Sequence, residues 1–406
     1  MPRLPGIDPP DRIVCHVDMD CFYAACERLR EPGLEGEPLV VGMGYEPGET
    51  HGAVATASYE AREHGVESAM AISEALELLP RRADASDSEP SGFYRPVDMP
   101  FYESVSDDVR AVLSAAADTV RNVSIDEAYL DLGGTEWSAA PSVGRSLKAE
   151  IADTVGVVAS VGIAPDMTTA KLASDAEKPD GLVVVDPEDV RSFLATIPVE
   201  DLHGVGPVTA AELREMGFET AGEIAAAEES TFVDAFGERG RDIYAGARGE
   251  DDRTVEPKGD PKSLSNESAF TEATADSEPA ERKVRELAAE VTTRANARNA
   301  LYRTIGLKVV TPPFDVHTRS RSLSGPVDDP ELVEKTAIEL LSEFDADPIR
   351  KLGVRLSNLS FDDREQATIA DWGRSDGDDG ERRRFRDRDR PRGRLPNDQA
   401  RLTRFE

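Results

Sequence analysis

Two pairs of carboxylates stand at places where an acidic side chain is expensive. Asp18 and Asp20 follow the apolar run Ile13–Val17, and Asp126 and Glu127 sit inside NVSIDEAYLDL. An acid at the end of a buried strand is costly to desolvate unless it is paired or bound to a metal. If the two strands are neighbours, their carboxylates converge. Hard oxygen ligands of that kind suit Mg²⁺, which keeps open positions for phosphate. Two such ions, about 3.5–4 Å apart, can activate an attacking hydroxyl and steady a leaving pyrophosphate. One difficulty is geometric. Neighbours in a flat strand point to opposite faces, so Asp126 and Glu127 share a site only if the backbone bends there. Asp-x-Asp alone carries little weight in so acidic a chain, where surface charge is the commoner explanation.

The elements that must hold these groups follow from the pattern around them. Residues 12–206 alternate short apolar strands with helices, and residues 186–250 read as short helices. Residues 251–261 have linker composition, and 262–361 follow the order β-α-β-β-α-β, which is ferredoxin-like. From about 373 to 397 the chain is nearly devoid of aliphatic residues, so disorder is expected. A length of 406 residues suits two to four domains. The three cysteines, Cys15, Cys21 and Cys26, match no zinc spacing and read as reduced thiols of a cytoplasmic protein. No apolar run is long enough to span a bilayer, and the N-terminus carries no apolar leader.

The charge is unusual: 80 acidic against 47 basic residues, a net −33, with only nine lysines. Such a balance normally argues against nucleic acid. It also fits a chain adapted to molar salt, where the Debye length is only about 3 Å and global repulsion of DNA is screened. Counterion release is weak there as well, so binding must lean on close contacts. A halophilic archaeon is the expected source.

Five segments occur in a telling order: VDMDCFYAACE at 17–27, GAVATASYEAREHGV at 52–66, SIDEAYLDL at 124–132, SVGIAPDMTTAKLASDAEKPDGL at 160–182 and LHGVGPVTAAELREMG at 202–217. Together with KSLSNE at 262–267 and GVRLSNL at 353–359 they resemble the Y-family, translesion DNA polymerases over roughly residues 12–361. The resemblance implies an α/β and α+β multidomain right hand. Its palm would be 12–28 and 93–185, its small fingers 29–92, its helical thumb 186–250 and its ferredoxin-like little finger 262–361.

By the same resemblance Asp18, Asp126 and Glu127 are catalytic and hold two Mg²⁺ ions, with the Met19 carbonyl as a further ligand. Tyr23 stands at the steric gate that excludes a 2′-hydroxyl; packing behind the metal strand is its alternative. Thr56, Tyr59, Arg62 and Lys171 would contact the triphosphate, Arg62 through a planar fork suited to phosphate oxygens. Ser124 would shape the strand bend. Partners would be primer-template DNA and deoxynucleoside triphosphates, the protein acting as a monomer without a proofreading exonuclease. Low fidelity on damaged templates follows from the small fingers.

Three further features bear on DNA. Gly204 and Gly206 read as a helix-hairpin-helix turn that lets backbone N–H groups approach a phosphate. Arg319 and Arg321, two apart on a strand, share a face and are expected to contact DNA, with Arg303, Lys308 and Arg355 on the same sheet. After a tether over 362–397, the peptide 398–406 places Gln399, Leu402 and Phe405 at the spacing of sliding-clamp-binding peptides, although Glu406 stands where a second aromatic is usual. His16 and His203 are expected to pack rather than ligate. A nucleotidyl cyclase and a non-catalytic DNA or clamp scaffold are the rival readings. The hairpin, the little finger and the tail count against the first, and the intact carboxylates with Lys171 against the second.

Overall fold

The structure is a computed structural model that describes residues 12–86, 89–344 and 347–361. The chain begins with strand β1 (Val14–Met19) and helix α1 (Phe22–Arg30). It then builds a small unit from β2 (Leu39–Met43), β3 (Ala53–Ala57), α2 (Tyr59–Arg62), α3 (Ile72–Leu78) and β4 (Phe93–Pro96). These three strands form their own sheet in the order β3-β2-β4. Two details differ from expectation. The strand β3 was not legible as one, and β4 pairs with β2 rather than joining the larger sheet, so the small unit extends past residue 92.

The chain returns through α4 (Met99–Ala116), β5 (Thr119–Asn122), β6 (Glu127–Asp131), α5 (Ala140–Val155), β7 (Ala159–Ala164), α6 (Met167–Ala176) and β8 (Leu182–Val184). The five strands order as β5-β6-β1-β7-β8, with β1 at the centre. Alternation along β1 divides its side chains. Cys15, Val17 and Met19 pack with Val105, Val109 and Leu113 of α4 and with Leu147 and Ile151 of α5. Val14 packs on the opposite face with Met167 and Ala170 of α6. Period-two alternation therefore sends His16 and Asp18 to the α6 side. Helix α4 starts where Asp98 accepts from the Phe101 N–H at 3.2 Å with Pro100 in the first turn, and α5 stops at Gly156, whose φ is +84°.

Five short helices follow: α7 (Val190–Leu194), α8 (Pro207–Glu215), α9 (Ala221–Ala226), α10 (Glu229–Phe236) and α11 (Glu238–Ala247). The last unit is β9 (Ser263–Thr274), α12 (Ser277–Ala297), β10 (Leu301–Thr311), β11 (Asp315–Val327), α13 (Pro330–Leu341) and β12 (Ile349–Ser360), the expected ferredoxin-like order. Its sheet runs β11-β10-β12-β9. Val284, Leu287 and Val291 of α12 and Val333, Ala337 and Leu340 of α13 bury one face against Ile305, Leu307, Val309, Leu352, Val354 and Leu356. The opposite face carries no helix of this unit.

Helix α6 is pressed unusually close to β7. A Cβ on Gly162 would lie 2.0 Å from the Ala170 carbonyl oxygen and 2.3 Å from the Ser174 nitrogen. Both obstacles are backbone, so neither can swing aside. Gly162→Ala is expected to lower unfolding free energy by about 1–3 kcal/mol, the usual cost of overpacking, measured by chemical denaturation. A change below about 0.5 kcal/mol would mean the helix is free to shift.

Candidate active site

The register of the central sheet brings the carboxylates together. Asp18 on β1 lies directly opposite Glu127 on β6. Directly opposed residues in an antiparallel pair point to the same face. The expected difficulty at Asp126 resolves locally. Residues 124–126 form a bend and β6 starts only at Glu127, so Asp126 is not bound by strand alternation. Ser124 makes that bend: its Oγ accepts from the Asp126 N–H at 3.2 Å and the Glu127 N–H at 3.1 Å, and donates to the Asp126 carboxylate. The Asp126 carbonyl accepts from the Met19 N–H at 2.9 Å, which anchors the bend to the end of β1.

Helix α6 supplies the counter-charge. Lys171 Nζ lies 2.8 Å from Glu127 Oε2 and 3.8 Å from Asp18 Oδ2. A second ammonium, which sequence reasoning did not single out, comes from the loop after α6. Lys178 Nζ lies 2.8 Å from Asp18 Oδ1 and 2.7 Å from Asp175 Oδ1. The segment EKPDG at 177–181 was its only sequence signal. His16 is fully buried between the strand and α6, with Nε2 3.3 Å from Glu127 Oε2 and Nδ1 2.8 Å from Ser174 Oγ. It packs, as expected, but against a carboxylate.

These contacts set the protonation order. The His16 hydrogen bond, followed by Lys171, brings the Glu127 carboxyl down to about 2 despite its burial. Burial pushes Asp18 the other way, above the ordinary aspartate value, and Lys178 and Lys171 only partly offset it. Burial lowers His16, which favours neutral imidazole. Burial also works against the Lys171 charge, yet Glu127, Asp175 and Asp18 hold its pKa above the usual lysine value.

Asp20, two residues beyond Asp18, serves a different end. Its oxygens accept from Ser160 Oγ at 2.9 and 3.0 Å, from the Asp180 N–H at 2.8 Å and from Tyr59 Oη at 3.1 Å. The last of these joins the small unit to the large sheet. Arg62 lies with its guanidinium 4.9 Å from the Tyr59 ring centroid, so the two do share a helix face, and its Nε donates to the Ala57 carbonyl at 3.0 Å. Thr56 is on β3 opposite Val41. Tyr23, on α1, stacks on Tyr102 with centroids 4.7 Å apart and planes at 18°. Tyr102 is buried and donates to Glu27 Oε1 at 2.7 Å, which fixes the wall behind the Tyr23 ring. Cys15 and Cys26 are buried thiols whose pKa burial raises to about 12, in keeping with inert packing.

The candidate DNA contacts divide. Gly204 has φ +81° and Gly206 precedes α8, so the expected glycine turn is present at a helix N-terminus. Arg319 and Arg321 do share a face, as their spacing predicts. They stand opposite Leu307 and Ile305 on the helix-covered side, where they pair with Glu343 and Glu339. Carboxylates of the covering layer hold both guanidinium groups there. Lys308 and Arg355 lie on the opposite, open face, and Gln399, Leu402 and Phe405 lie outside the described residues.

With this geometry in place, the comparisons are informative. Residues 17–175 match the model of the impB/mucB/samB family, 187–218 the IMS family HHH motif and 261–369 the impB/mucB/samB family C-terminal domain. A relative from Halobacterium salinarum called DNA polymerase IV is 61% identical over 380 residues, covering 93% of this chain and 92% of its own. The chain belongs to the Y-family DNA polymerases. A DNA polymerase IV from Methanoculleus marisnigri is 41% identical over 89% of this chain and 98% of its own. A solved Y-family DNA polymerase chimera, Dbh-Dpo4(243-245)-Dbh, superposes with a TM-score of 0.76 at 28% identity, covering 86% of this chain and all of that one. The structure titled insertion ternary complex of Dbh DNA polymerase gives 0.62 at 27% identity, covering 86% and 100%. As a Y-family member the protein is a DNA-directed DNA polymerase of the error-prone, translesion class, without proofreading exonuclease, and is divalent-metal dependent. Among the described residues no helix is long and apolar enough to cross a membrane.

The site fits such an ion in the character of its donors. Asp18 and Glu127 offer hard oxygens on one face, and burial penalises the charge on Asp18. Two ammonium groups now sit against these oxygens, and the third carboxylate is turned to Ser124. Among the described residues no group of three potential ligands is gathered.

The opposed shifts of the two cross-strand carboxyls can be read directly. In metal-free protein, carboxyl NMR titration is expected to show Asp18 taking its proton first as pH falls, while Glu127 stays ionised until about pH 2. The sign follows from linkage: stability from Glu127 is present above the usual glutamate range and fades only towards its depressed pKa. Glu127 protonating first would contradict the His16–Glu127–Lys171 arrangement.

Proposed function

We propose that this chain extends a primer 3′ end on damaged templates, with Asp18, Asp126 and Glu127 holding two Mg²⁺ ions and the Met19 carbonyl as a further ligand. Asp18 and Glu127 as cross-strand partners beneath Lys171 and Lys178 carry this reading. Bound there, divalent ions would supply charge neutralisation for the attacking hydroxyl and the leaving pyrophosphate. The chain's own part is positioning and electrostatics. Asp126 reaches the site by turning from Ser124. Lys171 and Lys178, freed from the carboxylates, would offer their ammonium groups to triphosphate oxygens. Arg62 offers its fork from the α2 side beside the Tyr59 ring, and Thr56 on β3 would add its hydroxyl.

The large sheet with α1 and α4–α6 serves as palm, the small three-stranded unit as fingers, α7–α11 as thumb and 262–361 as little finger. The Gly204–Gly206 turn offers backbone N–H groups to a DNA phosphate. The open face of the last sheet, with Lys308, Lys351 and Arg355, takes the duplex role first assigned to Arg319 and Arg321. Gln399, Leu402 and Phe405 dock on a sliding clamp, a reading supported by their spacing alone. The protein acts as a cytoplasmic monomer adapted to high salt, which the net −33 and the Halobacterium relative support.

Primer extension on gapped and lesion-bearing templates tests the proposal. Asp126→Asn and Glu127→Gln are each expected to lower extension by about a thousandfold, a loss of roughly 4 kcal/mol of charge stabilisation, while DNA binding persists. Wild-type activity in either variant would remove the carboxylates from catalysis. Tyr23→Ala is expected to relax selection against ribonucleotides by about a hundredfold. Unchanged sugar selection would return Tyr23 to the packing role it could also fill.

A further inference from the structure

The open face of the C-terminal sheet is poor in charge for a surface meant to meet DNA, and one of its few carboxylates sits among its cations. Lys308 on β10 stands opposite Gly353 on β12, and Gly353 stands opposite Glu267 on β9. The three form one row across three strands. Alternation puts them opposite the buried Leu307, Leu352 and Val354, hence on the face without helices. The Glu267 side chain crosses the middle strand at the glycine. A Cβ on Gly353 would lie 2.7 Å from Glu267 Cγ, so only glycine leaves this path open.

At the end of that path the carboxylate meets two ammonium groups. Lys308 Nζ is 3.1 Å from both Glu267 oxygens, and Lys351 Nζ is 2.6 Å from Oε2. Burial works against the Glu267 charge, but Lys351 and Lys308 outweigh it and hold the carboxyl below its ordinary value. Two lysines converging on two oxygens of one anion is also how a backbone phosphate is held.

We propose that Glu267 is a built-in competitor for duplex DNA. Its carboxylate occupies the Lys308–Lys351 pair in the free enzyme, and a DNA phosphate must displace it to bind there. The inference rests on the polymerase reading for its partner. The displaced carboxylate stays beside the phosphate as a like charge, so Glu267 weakens the grip on DNA and shortens each binding event. Lys351 and Lys308 are two of only nine lysines in the chain, which makes their occupation consequential.

The test is fluorescence anisotropy of full-length protein with primer-template duplex across a KCl series, alongside primer extension. Glu267→Gln is expected to tighten duplex binding by about three- to tenfold and to steepen the salt slope by up to about one. Gly353→Ala, which pushes Glu267 off its path, is expected to tighten binding in the same direction. Lys308→Ala and Lys351→Ala should each weaken binding, and the gain from Glu267→Gln should shrink in the Lys308→Ala, Lys351→Ala background. The proposal is overturned if Glu267→Gln leaves affinity unchanged or lower, or if its gain survives intact without the two lysines. Failure of the wild type to extend any primer would instead defeat the polymerase reading, an outcome that the anisotropy series does not depend on.

Discussion

Like charge is the constraint around which the catalytic half of this molecule is organised. The central strand ends by setting Asp18 beside Glu127 on one face of a sheet, in surroundings too dry for either to be stable alone. Without a divalent ion, that repulsion must be met by protein cations, and α6 with its following loop provides them in Lys171 and Lys178. Lys171 is carried on α6, which lies so close to β7 that a Cβ on Gly162 would meet its backbone. One absent side chain therefore sets the depth at which the counter-charge is delivered.

The Asp18–Asp20 pair shows how little residue type says about a role. Both are aspartates near the same strand end, two apart. Asp20 is saturated by donors from Ser160, Tyr59 and the Asp180 backbone and has no need of a metal. Asp18 meets the ammonium groups of Lys178 and Lys171, whose place a bound cation could take. The difference lies in which neighbours have fixed N–H or O–H groups to give.

Much of this was legible in sequence, for physical reasons. Strand and helix periods were clear where one face is buried and the other is wet, as in the β-α-β-β-α-β unit and in α5. The carboxylate site was legible because the segments that carry Asp18, Asp126 and Glu127 resemble the family's motifs in their order, the acidic pairs alone carrying little weight in so acidic a chain. What failed was information that resides between elements. The short strand β3 has no alternation long enough to read, and β4 could have joined either sheet until pairing chose. For Arg319 and Arg321 the spacing gave a shared face, but which face depends on where α13 packs. Lys178 lay outside any helix pattern, and only the return of its loop over β1 brings it to Asp18.

The hydrogen bond from Tyr59 to Asp20 has a bearing on accuracy. It ties the wall that bears Tyr59 and Arg62 to the floor that bears the carboxylates. On the proposed function, a wall so tied rejects what is too large, as the Tyr23 ring would reject an extra hydroxyl. It gains little by clamping down on a well-shaped base pair, and so has little means of favouring that pair over a distorted one. On that reading, tolerance of damaged templates and the errors that accompany it share one origin, an opening held by the protein's own contacts.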